Sequence, residues 1–214
     1  MERKTRKVGI MGGTFDPIHI GHLILGETAY EQLSLDEVWF LPAGNPPHKQ
    51  NRKGRASDEQ RVEMVRRAIA SNPHFRLSLI EMNADGYTYT YRTLERLQKE
   101  HPDTSFFFII GADSLFDFHE WKNPSRICAA ANLVVATRNQ VSANRLDQAI
   151  EENTKRFGGT FLKLDSPNLD ISSRNIREMI AEKRSVKYYL TDPVIDFIAE
   201  HQIYKDKEQE DGTV

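Results

Sequence analysis

One cysteine, Cys128, stands among 214 residues. A single thiol closes no internal disulfide and excludes any Cys-rich zinc site. Its neighbours, Ile127 and Ala129 to Ala131, favour an inert buried thiol over a nucleophile. An excess of either charge is missing too: 29 Lys and Arg against 31 Asp and Glu leave a formal charge of −2. No global basic field exists to hold nucleic acid, so any attraction for phosphate has to be local. No apolar run is long enough to span a bilayer, and the basic Met1–Lys7 leads only into a short run broken by glycines, unlike a secretory signal. These absences point to a soluble, cytoplasmic protein with neither nucleic acid nor membrane as a partner.

Several common signatures are absent as well. No G-x-x-x-x-G-K-[ST] occurs, so this is not an ordinary P-loop protein. Gly9-Ile10-Met11-Gly12-Gly13-Thr14 fails the G-x-G-x-x-G spacing, which weakens a hydride-transfer reading. H-E-x-x-H does not occur, nor does any internal repeat or low-complexity linker.

What is present is alternation. Apolar runs of strand length, at Lys7–Met11, Glu37–Leu41, Phe75–Ile80, Ser105–Ile110, Asn132–Ala136 and Thr160–Leu164, alternate with helical spacing. The expected helices are Ile20–Leu33, Asp58–Ala70 capped by Ser57, Thr93–Glu100, Ser125–Ala131, Ala143–Phe157, Ser172–Glu182 and Asp192–His201. In the first, Leu23, Ile24 and Thr28 are expected on one side. Gly86–Tyr91, rich in Thr and Tyr, is expected to be extended. Ser105–Ile110 is the most apolar strand and should sit centrally, with both faces covered. This pattern predicts an α/β fold with a doubly wound, mostly parallel sheet. Residues 1–204 are expected to form a single domain, with 168–204 as a small helical part and 205–214 as a disordered tail.

Ligands of such sheets bind beyond the carboxyl ends of the strands, where strand order reverses. Gly12-Gly13-Thr14-Phe15-Asp16-Pro17-Ile18-His19-Ile20-Gly21-His22 leaves the first strand at that end. It reads as a strand, a tight turn and a helix start, with free N–H groups that attract anions. His19 and His22, three apart, would share a helix face and reach one anion together. A metal reading, with Asp16 joining the histidines, has suitable ligand types but no third helix-spaced partner, and the phosphate reading is preferred.

The turn at 12–22, together with Ile171-Ser172-Ser173-Arg174-Asn175-Ile176-Arg177, resembles the HxGH/ISSTxIR nucleotidyltransferase superfamily. Pro46-Pro47-His48-Lys49, Tyr87 to Tyr91, Ile110-Gly111-Ala112-Asp113 and Trp121 narrow the likeness to the bacterial nicotinate-nucleotide adenylyltransferases. The resemblance runs from Lys7 to about Tyr204. It implies transfer of the AMP part of ATP to nicotinate mononucleotide, giving deamido-NAD and pyrophosphate by direct in-line attack. ATP is then a co-substrate, and Mg²⁺ would bridge its phosphates. The resemblance leaves room for a homo-oligomer.

By the same resemblance, His19 and His22 would contact the ATP phosphates, and Ser173 and Arg177 would complete the catalytic set. Gly12, Gly13, Thr14, Phe15, Gly111, Asp113, Arg138, Ile171 and Ser172 would hold the nucleotide, with Asp113 on a ribose hydroxyl. His48 and Lys49 would meet the substrate phosphate, Trp121 would stack on the pyridine ring, and Thr90 would hydrogen-bond the nicotinate carboxylate. Arg52, Lys53 and Arg55 read as a solvated basic loop. Three places depart from the family pattern: Arg174 beside the second clamp, Arg92 after Tyr-Thr-Tyr, and His119-Glu120 before Trp121. Rival readings are a nucleotidyltransferase using phosphopantetheine or CTP, and a non-catalytic nucleotide sensor. A class I tRNA synthetase is disfavoured by chain length and by the missing Lys-Met-Ser-Lys-Ser loop.

Overall fold

The computed structural model describes residues 5–44, 54–82, 87–136 and 143–205. His48, Lys49, Arg52, Lys53 and Arg138 lie outside these residues, as does the tail after Lys205. Among the described residues, six strands form one parallel sheet: β1 Arg6–Gly13, β2 Glu37–Pro42, β3 Phe75–Leu77, β4 Thr104–Gly111, β5 Asn132–Ala136 and β6 Phe161–Leu164. The helices are α1 Ile20–Gln32, α2 Asp58–Ile69, α3 Thr90–Glu100, α4 Ala112–Phe116, α5 Pro124–Ala130, α6 Ala143–Phe157, α7 Ser173–Ala181 and α8 Asp192–Glu200. The strand order, β3-β2-β1-β4-β5-β6, reverses its direction of growth between β1 and β4.

Alternation along each strand divides the core into two layers, because successive side chains point to opposite faces. Phe107 and Ile109 of β4 join Met11, Val38 and Phe40 under α1, α2, α7 and α8. Phe106, Phe108 and Ile110 join Val8, Ile10 and Leu41 under α3 to α6. Both faces of β4 are therefore covered, as its unbroken apolar run predicts. Cys128 belongs to the second layer, and burial pushes its thiol up to about 11.

Some expectations need correction. The buried side of α1 is Gly26 and Ala29, with Leu23 and Leu25 beside them, rather than a stripe including Ile24 and Thr28. A side chain at Gly26 would meet the Phe40 and Phe75 rings at 3.1 and 3.2 Å, so the helix lies close to the sheet there. β3 ends at Leu77 because the chain turns away, with the Met82 N–H bonded to the Leu79 carbonyl. Thr90 and Tyr91 belong to α3: burial of Tyr91, Leu94 and Leu97 along one face outweighs the extended preference of Thr and Tyr.

The strand ends create the opening. β1 pairs with β4 only as far as Ile10 and Phe108. Beyond that point β1 stays with β2 through Gly13 and Pro42, while β4 stays with β5 through Gly111 and Ala136. The two central strands thus part company over their last residues. Gly12 and Gly111 stand on either side of that parting.

Candidate active site

After Gly13 the chain enters a turn held from three directions. Arg61 of α2, 4% exposed, donates from Nη1 to the Thr14 carbonyl (2.6 Å) and from Nη2 to the Ala43 carbonyl (2.7 Å). It ties the loop after β1 to the loop after β2, and Asp58 balances its charge at 2.7 Å. Phe15 is only 2% exposed and packs on Phe40. Its ring belongs to the core, which leaves only its main chain to face a nucleotide. Gly13 gives that ring room, since a Cβ there would lie 3.0 Å from it.

His19 is the N-cap of α1, with extended dihedrals, so the two histidines do not share a helical face as the spacing suggested. They are joined more closely than that. Their rings stack with centroids 3.7 Å apart, and the His19 N–H donates to His22 Nδ1 (3.2 Å). An Nδ1 that accepts leaves Nε2 as the protonated nitrogen of a neutral His22. Edge contact with Phe15 at 5.1 Å holds that ring from a second side. His19 is buried while His22 keeps open surface. Gly21 fits between them because any Cβ would fall 3.1 Å from His19 Nδ1 and 3.8 Å from Ile171.

The late helix reaches this turn. Ser172 caps α7, accepting from the Asn175 N–H (3.2 Å). Ser173 Oγ donates to the Pro17 carbonyl (2.8 Å), and Arg177 Nη1 donates to the Asp16 carbonyl (2.6 Å). Ser173 and Arg177 are four apart and so lie on one face of α7. Two bonds spanning more than 150 residues therefore bring the serine and arginine beside the histidine turn. Arg174, which departs from the family pattern, points away: its side chain is 81% exposed and paired with Glu178.

Across the parting of β1 and β4, Asp113 is exposed in the first turn of α4, one residue past buried Ala112. Gly111, not Asp113, is the N-cap of α4, and no side chain caps it. Trp121 is half-buried, edge-on to Phe108 at 6.1 Å and tilted on Phe118 at 5.6 Å. Phe108 in turn lies within van der Waals reach of a Cβ at Gly12 (3.6 Å), which links the tryptophan to the glycine turn. Thr90 is the first residue of α3, and the N-cap Tyr89 offers no side-chain hydrogen bond. That leaves a hydroxyl and helix-start N–H groups at one place.

Several residues here take places that the sequence does not reveal. Arg55 is not a solvated loop charge: it is one-fifth exposed, with Nε 3.7 Å from Asp16 Oδ2. Arg61 was marked only by a basic residue falling in register with Val65, Ala68 and Ile69. Asp16 is 2% exposed and is bonded by protein donors, including Tyr204 Oη (2.6 Å) and the Ala56 N–H (3.1 Å). Glu81 lies behind α3, accepting from Thr93 Oγ1 (2.8 Å), and burial raises its pKa above the ordinary carboxylate range. Among the described residues no three His, Cys, Asp or Glu side chains cluster as a metal cage, and no helix is long and apolar enough to cross a membrane.

The cytidylyltransferase-like family model matches residues 10–179. A Thermoanaerobacter sp. (strain X514) protein named probable nicotinate-nucleotide adenylyltransferase is 42% identical over 213 residues, covering 99% of this chain and 100% of its own. A protein of the same name from Lachnoclostridium phytofermentans is 42% identical over 199 residues, covering 93% and 99%. Among solved structures, Plasmodium falciparum nicotinic acid mononucleotide adenylyltransferase complexed with APC is similar at TM-score 0.74 and 21% identity, covering 93% of this chain and 97% of that one. Its complex with NaAD gives TM-score 0.76 at 21% identity, with the same coverage. At that identity the structural likeness speaks for the fold.

Proposed function

The chain belongs to the nicotinate-nucleotide adenylyltransferases, within the cytidylyltransferase-like family, and on that footing we propose how its residues divide the work. The enzyme transfers the adenylyl group of ATP to nicotinate mononucleotide in NAD biosynthesis. In our reading the mononucleotide phosphate attacks the α-phosphorus of ATP in line, and pyrophosphate leaves. The bond to the bridging oxygen breaks as the new P–O bond forms. No protein nucleophile takes part, so catalysis is positioning and stabilisation of charge.

His22 donates from Nε2 to the departing phosphates, with His19 stacked beneath it as support. Ser173, the first N–H groups of α7 and Arg177 form the opposite side of the clamp. Asp113 receives a ribose hydroxyl, and Gly12, Gly13, Thr14, Gly111, Ile171 and Ser172 line the nucleotide path. Trp121 supplies a flat face for the pyridine ring. Thr90 and the start of α3 receive its carboxylate, so an amide in that place would leave donors unpaired. His48, Lys49 and Arg138, outside the described residues, keep the roles given by resemblance.

Asp16 is 2% exposed, with Oδ1 taken by Tyr204 and the Ala56 N–H and Oδ2 buried facing Arg55 and Arg177, so Mg²⁺ would enter with the ATP phosphates rather than on this carboxylate. We further assign the enzyme to the cytoplasm, with ATP and nicotinate mononucleotide as its small-molecule partners.

One observation supports this reading: the paired bonds from Ser173 and Arg177 to Pro17 and Asp16, which bring the two motifs together. Pyrophosphate release with ATP or CTP, against nicotinate, nicotinamide and phosphopantetheine acceptors, tests it. We expect turnover with ATP and nicotinate mononucleotide, and about a 10²–10³-fold fall in kcat for His22→Ala. Turnover untouched by His22→Ala overturns the assignment of the histidine. ATP binding without turnover on any acceptor would favour the sensor.

A further inference from the structure

The last aromatic residue of the described chain lies against the first turn. Tyr204 is 9% exposed, and its hydroxyl donates to Asp16 Oδ1 at 2.6 Å across 188 residues. Its backbone is left-handed, φ 64°, a conformation that costs a bulky residue energy and persists only when its surroundings enforce it. Met64 Sδ, 4.0 Å from the hydroxyl, lies beside this contact.

Asp16 is placed between two kinds of partner. On Oδ1 it accepts from Tyr204 and from the Ala56 N–H, while Oδ2 faces Arg55 Nε at 3.7 Å and Arg177 Nη1 at 3.8 Å. Those two distances are longer than a charge-assisted hydrogen bond. The short bond of Arg177 goes instead to the Asp16 carbonyl, at 2.6 Å. The guanidinium is thus anchored by one nitrogen, leaving it free to present others to an anion. Arg61 of α2 adds positive potential at the Tyr204 hydroxyl.

We infer that Tyr204 is a positioning residue for the ATP clamp, acting through Asp16 to hold Arg177 off its carboxylate and pointed at phosphate. The inference rests on the role assigned above to Arg177. Without the tyrosine hydroxyl, Asp16 retains one short donor on Oδ1 and its charge is less compensated. Arg55 at 3.7 Å and Arg177 at 3.8 Å are then the cations able to close the gap, and an Arg177 guanidinium drawn into a bidentate pair with Asp16 is withdrawn from ATP.

Tyr204→Phe keeps the ring and removes only the hydroxyl. We expect the KM for ATP to rise about tenfold, the cost of a lost hydrogen bond to a charged group, with the KM for nicotinate mononucleotide unchanged. A purely structural role would lower the folded fraction and apparent kcat while leaving both KM values in place. Arg177→Ala and the double variant complete the cycle: if Tyr204 acts through Arg177, its effect on the ATP KM vanishes in the Arg177→Ala background. An unchanged ATP KM in Tyr204→Phe, or full additivity in the double variant, overturns the inference. An unchanged ATP KM and kcat in Arg177→Ala overturns the clamp assignment itself, a separate failure.

Discussion

At the scale of the residue, buried polar groups separate what a side chain is from what it does here. Glu81 is an acid by letter, yet burial favours its neutral form and raises its pKa from the ordinary value of 4.5, with Thr93 and the Gly44 N–H acting in the opposite sense. A group whose folded pKa is raised stabilises the protein fully below its unfolded pKa and loses that contribution as pH rises through the folded value. Glu81→Gln should therefore flatten the fall in stability as pH climbs from 4.5. Melting temperatures of both proteins across pH 4 to 8, a range spanning about the carboxylate-to-neutral window, check this. Parallel pH curves would contradict it. Glu81 could not have been singled out from sequence, because its burial depends on Gly44, where a side chain would lie 2.1 Å from the Glu81 carbonyl oxygen. Asp16 was legible as a turn former but not as a hub, since its partners lie 40, 161 and 188 residues away.

Elements were the most readable level. Asn132–Ala136 and Ala143–Phe157 follow their patterns to the residue, and Ser57 caps α2 as its position before Asp58-Glu59-Gln60 predicts. Short pieces were harder: α4 has five residues, too few to carry a period, and it was not foreseen. The α3 boundary slipped because Tyr and Thr favour strands while the packing of Tyr91 decides otherwise. Capping supplies the prediction at this level. Ser172→Ala removes the acceptor for the Asn175 N–H and should cost about 1 kcal/mol. For a protein of this length that is about 2–4 °C in Tm by thermal melt. The ATP KM should rise as the start of α7 frays, with the mononucleotide KM in place. A lower Tm with an unmoved ATP KM would detach the cap from the nucleotide.

Across the whole molecule, we propose that residues 5–204 unfold as one unit. Phe197 and Val194 of α8 share a buried cluster with Met64 of α2 and Phe40 of β2. Arg67 also covers the Phe197 ring at 4.6 Å. Phe197→Ala should cost about 3–5 kcal/mol and lower stability without splitting the transition. Far-UV circular dichroism and fluorescence of Trp39 and Trp121 should trace coincident denaturant curves. Separate midpoints would make the C-terminal helices an independent part.

In chain order the histidine turn precedes both Arg177 and Tyr204, which bond to Asp16 beside it. A partly translated chain would already carry the imidazoles but would lack the arginine clamp and the hydroxyl behind it. On the roles proposed here, the ATP clamp is complete only once α7 and Tyr204 have docked on that turn.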